Sequence, residues 1–282
     1  MNKNTKITTA LLLAAGTGSR LMPLTSKAPK CLTEVNGKSF LERLVENLVK
    51  KGFKRLVIVT GHQKQCIEEF ISNLSADITI EFIYSPLYKT TNNIYSLWMA
   101  RETINEPFML VEGDLIFDVS LLDEMIFPDR MAIAKILPWM NGTTITIDEA
   151  MQVKSFHKNT DMNGTVELKY KTVNIYSFSL ASWKVIKMGL DQNIKANKVS
   201  GYYETVFGEM MNDQQLSLKA VDFNNQLWYE VDTLQDLIEA EKLFSTESYV
   251  PGISEEILQK TAETQTRIPS DIKELTVQLS NG

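Results

Sequence analysis

Hydrophobic residues in the first half of the chain alternate between short apolar runs and segments with helical spacing. The apolar runs predict buried β-strands, and segments with apolar residues three and four apart predict amphipathic helices. Strands are predicted at Ile7–Ala15, Arg55–Thr60, Thr79–Tyr84 and Pro107–Gly113, and helices at Ser39–Lys51, Gln63–Leu74 and Asn93–Ile104. This alternation predicts an α/β fold with a mixed, mostly parallel central sheet and helices on both faces.

The second half of the chain has a less regular pattern, in which several strands follow one another without a helix between them. Strands are predicted at Met131–Leu137, Thr143–Ile147, Tyr170–Ser177 and Leu216–Val221, several of them antiparallel, and helices at Ser179–Gln192, Tyr202–Met211 and Thr233–Phe244. Residues 1–244 are therefore expected to form one domain. The polar residues 245–282 are expected to form a tail or a linker.

The first apolar run leads directly into the glycine-containing stretch Gly16–Arg20, and Lys30 follows a proline further on. Glycines let the backbone approach a bound group closely, and the amides of such a turn, with Arg20 and Lys30, suit a polyphosphate. An ordinary turn with two surface cations is the alternative. A Walker loop is excluded because no Gly-Lys-Ser/Thr sequence follows, and a dinucleotide fingerprint because its third glycine is missing.

These residues resemble the signature loop of the nucleotidyltransferases that activate small phosphorylated compounds. The matching segments are Gly16–Leu21, Pro23–Thr25 and Pro29–Lys30. Such enzymes have a Rossmann-like fold, transfer a nucleoside monophosphate from a triphosphate, and release pyrophosphate. The resemblance implies that Arg20 and Lys30 are catalytic cations on the phosphates. It assigns to nucleotide binding the loop residues Leu13, Ala14, Ala15, Gly16, Thr17, Gly18 and Ser19.

Base recognition in this family takes place at the strand ends, where Thr60–His62 and Ser85–Ser96 fall in this sequence. Asparagine amides offer a donor and an acceptor suited to a pyrimidine edge, but asparagines before a helix also serve as caps. Cytosine is therefore implied by the resemblance and not by hydrogen-bond chemistry. The further residues expected at the nucleotide are Gly61, Ser85, Asn92, Asn93, Ser96 and Glu112.

Carboxylates at two places in the sequence are candidates for a divalent cation, which nucleotidyl transfer uses to spread negative charge. Asp114 directly follows a predicted buried strand, and Glu230 and Asp232 are two residues apart, so both project to one face of an extended segment. Asp114 could instead be a turn residue, and Asp232 a helix N-cap. The resemblance implies that these three carboxylates bind Mg²⁺.

The binding site for the acceptor, the substrate that receives the nucleotide, is indicated by several aromatic residues with one carboxylate beside them. Aromatic faces and a nearby carboxylate stabilise an ammonium group, although each ring could equally pack in the core. The segments Asn141–Thr144, Tyr170–Tyr176 and Gly201–Glu204 resemble those of 2-aminoethylphosphonate cytidylyltransferases, and the Glu-Lys-Pro segment of sugar-1-phosphate enzymes is missing. The expected acceptor-binding residues are Trp139, Lys171, Tyr202, Tyr203, Glu204 and Trp228.

Two lysines are candidates to pair with the phosphonate oxygens of the acceptor. Lys154 is assigned to the catalytic set and Lys171 to acceptor binding, and solvated strand lysines are the alternative for each. A general base is not required, because a dianion with a second pKa near 6 is already a nucleophile at neutral pH.

Composition restricts the partners. The chain has 282 residues and a net charge of -6, so a general nucleic-acid binder is not expected, whereas an anionic small substrate needs only local cations. The apolar run at Ile7 is too short for a membrane span, and Cys31 and Cys66 have no metal-binding spacing, so free thiols in the cytoplasm are expected. A homodimer, or fusion to another pathway domain, is left open.

The resemblance as a whole implies a magnesium-dependent cytidylyltransferase that joins CMP from CTP to 2-aminoethylphosphonate and releases pyrophosphate. The same chemistry with phosphocholine is the nearest alternative, because relatives using that acceptor share much of the pattern, and a sugar 1-phosphate acceptor comes third. A non-catalytic nucleotide-sensing subunit is the alternative from another class. It is disfavoured because Arg20, Lys30, Asp114 and Asp232 are all present.

Overall fold

The computed structural model of the chain describes residues 6–137, 140, 142–157 and 168–245. The predicted acceptor residue Trp139, the neighbouring Asn141 and the predicted tail from residue 246 lie outside the described residues. The strands are β1 (Thr9–Ala14), β2 (Glu34–Val35), β3 (Lys38–Ser39), β4 (Arg55–Thr60), β5 (Thr79–Tyr84), β6 (Phe108–Glu112), β7 (Leu115–Phe117), β8 (Arg130–Lys135), β9 (Thr144–Ile147), β10 (Val153–His157), β11 (Tyr170–Phe178), β12 (Lys219–Asp222) and β13 (Trp228–Glu230). The α-helices are α1 (Phe40–Lys50), α2 (Lys64–Ser72), α3 (Asn93–Met99), α4 (Leu122–Met125), α5 (Leu180–Lys195), α6 (Tyr203–Asn212) and α7 (Leu234–Leu243).

A nine-stranded mixed sheet organises the domain. Its main path has the order β10-β9-β11-β6-β1-β4-β5, and β12 and β8 pair beside β11. Strands β6, β1, β4 and β5 are mutually parallel, whereas β11 runs antiparallel to β6, β8 and β9. The mixed α/β sheet predicted from the sequence is confirmed, with the parallel strands in the first half and most of the antiparallel ones in the second.

Helices cover both faces of this sheet, as predicted. Alternate residues of β1 point to opposite faces, so Leu11 and Leu13 belong to one buried cluster and Ala10 and Leu12 to the other. The first cluster also contains buried residues of α3, α5 and α6, and the second those of α1, α2 and α4. The carboxyl ends of the parallel strands are left uncovered by these helices, which is where ligands bind in open α/β sheets.

The strand and helix predictions hold with small differences in their bounds. Strands Arg55–Thr60 and Thr79–Tyr84 begin and end as predicted. The helix predicted at Asn93–Ile104 is shorter, because α3 ends at Met99 and Ala100–Glu102 form a 3-10 turn. Strands β2, β3, β7 and β10 and the short helix α4 were not predicted.

A third, smaller apolar cluster attaches α7 and the β7–β13 pair to the glycine-loop side of the sheet. It is formed by the buried residues Leu21, Val35, Phe40, Ile116, Val231 and Ala240. The Val231 N–H donates to the Asp114 carbonyl oxygen at 3.0 Å, so the β13 segment is hydrogen-bonded beside the end of β6. Within the described ranges, no helix has the length and apolar character that crossing a bilayer requires.

Candidate active site

A cleft of about 720 Å³ opens at the carboxyl ends of β1 and β6. It brings together most of the residues that sequence reasoning assigned to phosphates, base, metal and acceptor. The predicted residues that line it are Leu13, Ala14, Ala15, Gly16, Gly18, Ser19, Arg20, Lys30, Asn92, Asn93, Ser96, Glu112, Asp114, Lys171, Tyr202, Glu204, Glu230 and Asp232.

The glycine loop is held in its conformation by Thr25. Gly18 has a φ of 61°, in the left-handed region, and its carbonyl oxygen accepts a 2.8 Å hydrogen bond from Thr25 Oγ1. A Cβ at Gly18 would lie 2.9 Å from Thr25 Cγ2 and 3.1 Å from Lys30 Cβ. Glycine is therefore required at this position both for the backbone conformation and for the close approach of the Lys30 segment.

Replacing Gly18 by alanine is expected to lower the free energy of unfolding by about 1–3 kcal/mol, the usual cost of a strained backbone position. The strain has two sources, the positive φ and the contacts with Thr25 and Lys30. Urea unfolding would measure the loss. Gly16→Ala is the matched control, because a Cβ there meets no atom within 4 Å. Equal losses in the two variants would contradict this account of the loop.

Lys30 joins two carboxylates that are far apart in the sequence. Its Nζ atom donates to Asp114 Oδ2 at 2.8 Å and to Asp232 Oδ1 at 2.7 Å. Arg20 approaches the same Asp232 oxygen at 2.7 Å while remaining largely exposed to solvent. Two cations and two carboxylates therefore converge next to the glycine loop.

The protonated state of Lys30 is favoured by this arrangement. Burial by itself would lower the pKa of the Lys30 ammonium, but attraction to Asp114 and Asp232, with hydrogen bonds to both, raises the pKa above its ordinary value. Lys30 therefore carries its positive charge throughout the neutral pH range, as a group that neutralises phosphate oxygens must.

The structure shows which other roles Asp232 and Asp114 have, besides the predicted role as metal ligands. Helix α7 has Thr233 as its N-cap and a capping box between Thr233 and Asp236, so Asp232 is not the capping residue. Asp114 directs one oxygen to Lys30, and its other oxygen, Oδ1, is buried without a hydrogen-bond partner. A buried carboxylate oxygen without a partner is unfavourable unless a ligand completes it.

These two carboxylates fit the requirements of a magnesium ion. Mg²⁺ usually takes one or two carboxylates from the protein and completes its coordination with water and substrate phosphates. Among the described residues, no group of three or more His, Cys, Asp or Glu side chains is arranged to hold a metal. Glu230, the third predicted ligand, directs its oxygens to other partners in this structure.

A second cluster lies in the same cleft, around the buried Lys171. The Lys171 Nζ atom is 3.0 Å from Glu230 Oε2, and Asn174 Nδ2 donates to Glu230 Oε1 at 3.1 Å. Asn174 has a φ of 60° at an irregularity in the pairing of β11 with β8, which re-aims its side chain. A Cβ at Gly142 would come within 3.0 Å of Lys171 Nζ, so this glycine leaves space for the ammonium group.

Burial also changes the ionisation of three glutamates in the cleft. Removal from water raises the pKa of Glu204 to about 7, and removal from water together with the charges of Asp114 and Glu204 raises that of Glu112 to about 8. Burial raises the pKa of Glu230 as well, although Lys171 opposes the shift. Glu204 Oε2 is buried without a hydrogen-bond partner. Within the described residues, Glu204 therefore presents an acceptor oxygen that no protein donor uses.

Several predicted site residues lie elsewhere in the structure. The Tyr203 ring is fully buried and packs against Tyr176 and Phe207, because α6 turns it into the core. Trp228 pairs opposite Phe117 and packs on the core, and Lys154 lies on the exposed side of β10. None of these three side chains lines the cleft formed by the described residues, and their roles at the acceptor stay predictions.

Three residues predicted at the nucleotide are also not part of the cleft lining. Ser85 is completely buried, and Thr17 is exposed on the glycine loop. Gly61 has an indirect role, because a Cβ there would lie 2.5 Å from the Ala15 carbonyl oxygen. It allows the segment after β4 to pack against the end of β1.

The cleft is also lined by residues that the sequence analysis did not assign individually, namely Cys31, Tyr88, Thr91, Gly113, Gly142, Thr143, Asn174, Ser200 and Gly201. Tyr88 and Thr91 belong to the segment expected near the base, and Asn174 to one expected near the acceptor. Asn174 also had a signal of its own. An asparagine within a β-branched and aromatic run is unfavourable for a regular strand, so it marks a bulge or a functional position.

Known proteins resemble this chain in sequence and in fold. Residues 9–135 match the Nucleotidyl transferase family. The chain is 28% identical over 245 residues to a CMP-5'-(3-aminopropyl)phosphonate synthase of Streptomyces rubellomurinus, covering 84% of this chain and 38% of the relative. It is 32% identical over 128 residues to a 2-aminoethylphosphonate cytidylyltransferase of Lancefieldella rimae, covering 45% of this chain and 49% of the relative. The chain thus spans less than half the length of these two relatives.

Among solved structures, a CTP:phosphocholine cytidylyltransferase from Streptococcus pneumoniae superposes with a TM-score of 0.71. The match covers 86% of this chain and 100% of that structure at 19% identity, so it concerns the fold. The resemblance to nucleotidyltransferases predicted from the glycine loop is confirmed, and the chain has the Rossmann-like nucleotidyltransferase fold.

Proposed function

We propose that this protein is a CTP-dependent cytidylyltransferase that joins CMP to a small phosphonate with a primary amine, such as 2-aminoethylphosphonate. The carrying observation is the position of Lys30 between Asp114 and Asp232, beside a glycine loop whose close packing requires Gly18. This constellation suits a reaction in which two anions must meet. Its cations neutralise phosphate oxygens, and its carboxylates suit a magnesium ion.

In the proposed reaction, an oxygen of the phosphonate attacks the α-phosphorus of CTP and forms a new P–O bond. The bond between the α-phosphorus and the bridging oxygen breaks, and pyrophosphate leaves with that electron pair. Lys30 and Arg20 would neutralise the triphosphate, and Asp114 and Asp232 would hold magnesium, which when bound spreads negative charge away from the phosphates. The protein would act by positioning and charge compensation, without a general base.

The choice of a primary amine over a quaternary ammonium is supported by the side chains that face the acceptor region. Of the described aromatic residues predicted there, only Tyr202 lines the cleft, because Tyr203 and Trp228 pack elsewhere. A quaternary ammonium is best bound by several aromatic faces, whereas a primary ammonium donates hydrogen bonds to carboxylates. Glu204, with a buried oxygen that has no hydrogen-bond partner, favours the primary amine. The two relatives named for aminoalkylphosphonate substrates agree with this choice.

The proposal is tested by pyrophosphate release from each of four nucleoside triphosphates against three acceptors. The acceptors are 2-aminoethylphosphonate, phosphocholine and a hexose 1-phosphate, each with magnesium. We expect the highest kcat/KM for CTP with 2-aminoethylphosphonate. Turnover that is faster with phosphocholine or with UTP would overturn the acceptor or the base, respectively. A chain that binds nucleotide but turns over no pair would indicate a sensing subunit.

A further inference from the structure

The first N–H of helix α6, the helix that carries Glu204 into the cleft, donates to a side chain of another helix. Tyr202, the residue that precedes α6, provides no side-chain cap. Instead the Tyr203 N–H donates to Asn93 Oδ1 at 3.1 Å, although Asn93 lies 110 residues earlier, at the start of α3. The first amides of a helix need such acceptors, so Asn93 fixes where α6 begins.

The nitrogen of the Asn93 side-chain amide also forms a hydrogen bond within the protein. Asn93 Nδ2 donates to Glu112 Oε1 at 3.1 Å, at the end of β6. One residue earlier, the Asn92 N–H donates to the Val199 carbonyl oxygen at 2.9 Å, in the segment that leads into α6. A single asparagine therefore connects the end of β6, the start of α3 and the start of α6.

The two segments joined in this way form different parts of the cleft. Residues 91–93 and Ser96 belong to the side predicted to hold the nucleotide, and residues 200–202 and Glu204 to the side predicted to hold the acceptor amine. Glu204 is the second residue of α6 and has a buried oxygen without a partner. Its position relative to the nucleotide therefore depends on the bond between Asn93 and Tyr203.

We infer that Asn93 is a positioning residue that holds the acceptor-binding start of α6 at a fixed distance from the nucleotide side. It acts through Glu204 and Glu112. This role differs from the expectation that Asn93 binds the nucleotide, because both groups of its amide are already bonded within the protein. The kinetic part of this inference rests on the proposed function, and the structural part, the capping of α6 by Asn93, does not.

Asn93→Ala tests both parts. Loss of a helix cap costs about 1 kcal/mol, so we expect hydrogen exchange of the Tyr203 amide in the ligand-free protein to become about fivefold faster. The KM for 2-aminoethylphosphonate should rise about tenfold, because Glu204 is no longer held, while the dissociation constant for CTP changes less than about twofold. Asn93→Asp keeps the acceptor for the Tyr203 N–H and removes the donor to Glu112. It should therefore retain the protection of the Tyr203 amide.

Ser39→Ala is the matched control, because the Ser39 side chain caps α1 on the opposite face of the sheet. It should lower the melting temperature to a similar extent and leave the KM for the acceptor unchanged. An unchanged Tyr203 amide in Asn93→Ala would overturn the inference, and so would equal losses of CTP and acceptor binding. If the wild-type protein turns over no substrate pair, the proposed function fails, and the exchange of the Tyr203 amide still decides whether Asn93 positions α6.

Discussion

Replacing Lys30 by alanine is expected to lower the rate of pyrophosphate release by about a thousandfold, the upper range for removing one preorganised charge-stabilising group. The Lys30 ammonium lies within 2.8 Å of both Asp114 and Asp232, where a triphosphate over the glycine loop would place its oxygens. Without it, Asp114 and Asp232 lose the donor that they share. We expect the free energy of unfolding to fall by about 1–3 kcal/mol, with the fold retained.

Lys27→Ala is the matched control for this experiment. Lys27 lies in the same loop and is exposed, and it does not line the cleft, so its removal should change the rate less than about twofold. Lys30→Arg separates charge from shape, because a guanidinium keeps the positive charge beside the two carboxylates but is planar and larger than an ammonium. We expect it to restore stability but not turnover. Lys30→Ala with turnover close to wild type would refute the assignment of Lys30 to the reaction.

The features that could be predicted from the sequence are those that short segments specify by themselves. The glycine loop follows the buried strand β1, and Asp114 follows the buried strand β6. The carboxyl ends of parallel strands lie at one edge of a sheet, so these two segments are expected to be close together. The bounds of β4 and β5 were predicted because β-branched and alternating runs are clear strand signals. The convergence of Arg20, Lys30, Asp114 and Asp232 follows from this edge arrangement together with the pairing of β7 and β13.

The features that could not be predicted depend on contacts between distant segments. Tyr202 and Tyr203 are the same residue type at neighbouring positions, so the sequence does not distinguish them. At the start of α6 the Tyr202 ring is exposed and the Tyr203 ring is buried. Lys171 and Glu230 lie 59 positions apart, and nothing in the sequence around either residue indicates that the two will form an ion pair. The bond from Tyr203 to Asn93 spans 110 positions and joins two helix starts. Sequence patterns predict that such residues cap helices or pack in the core. Only the tertiary packing determines whether they do so or line the cleft instead.

Replacing Glu204 by glutamine is expected to raise the KM for 2-aminoethylphosphonate by about tenfold to a hundredfold, with a smaller change in CTP binding. The basis is the worth of a hydrogen bond to a charged group, about 1.5–3 kcal/mol. Glu204 lines the cleft, and its Oε2 atom is buried without a partner. Glutamine keeps the size of the side chain and removes the charge that would pair with an ammonium. Initial rates at varied acceptor concentration and saturating CTP would measure the effect.

The same substitution is expected to stabilise the ligand-free protein, and by more at high pH. In the unfolded chain this carboxyl ionises near its ordinary pKa of 4.5, whereas burial raises its pKa in the folded protein to about 7. As the pH rises from 4.5 to about 7, the unfolded state gives up the proton first, so wild-type stability falls and then stays lower. The wild-type protein loses about 3 kcal/mol of unfolding free energy in total over this range, since each unit of pKa difference corresponds to about 1.4 kcal/mol.

Glu204→Gln should therefore gain about 1 kcal/mol over wild type at pH 5.5 and about 3 kcal/mol at pH 8, measured by urea unfolding. Glu149→Gln, at an exposed position outside the cleft lining, should change neither stability nor the KM for the acceptor. A Gln variant that is more stable at pH 8 yet binds the acceptor as well as wild type would show that the amine binds elsewhere. A variant that loses acceptor binding without the pH-dependent gain in stability would show that burial does not raise the pKa of the Glu204 carboxyl. The two effects are expected together, because a buried carboxylate oxygen without a hydrogen-bond partner destabilises the fold and is free to bind the substrate.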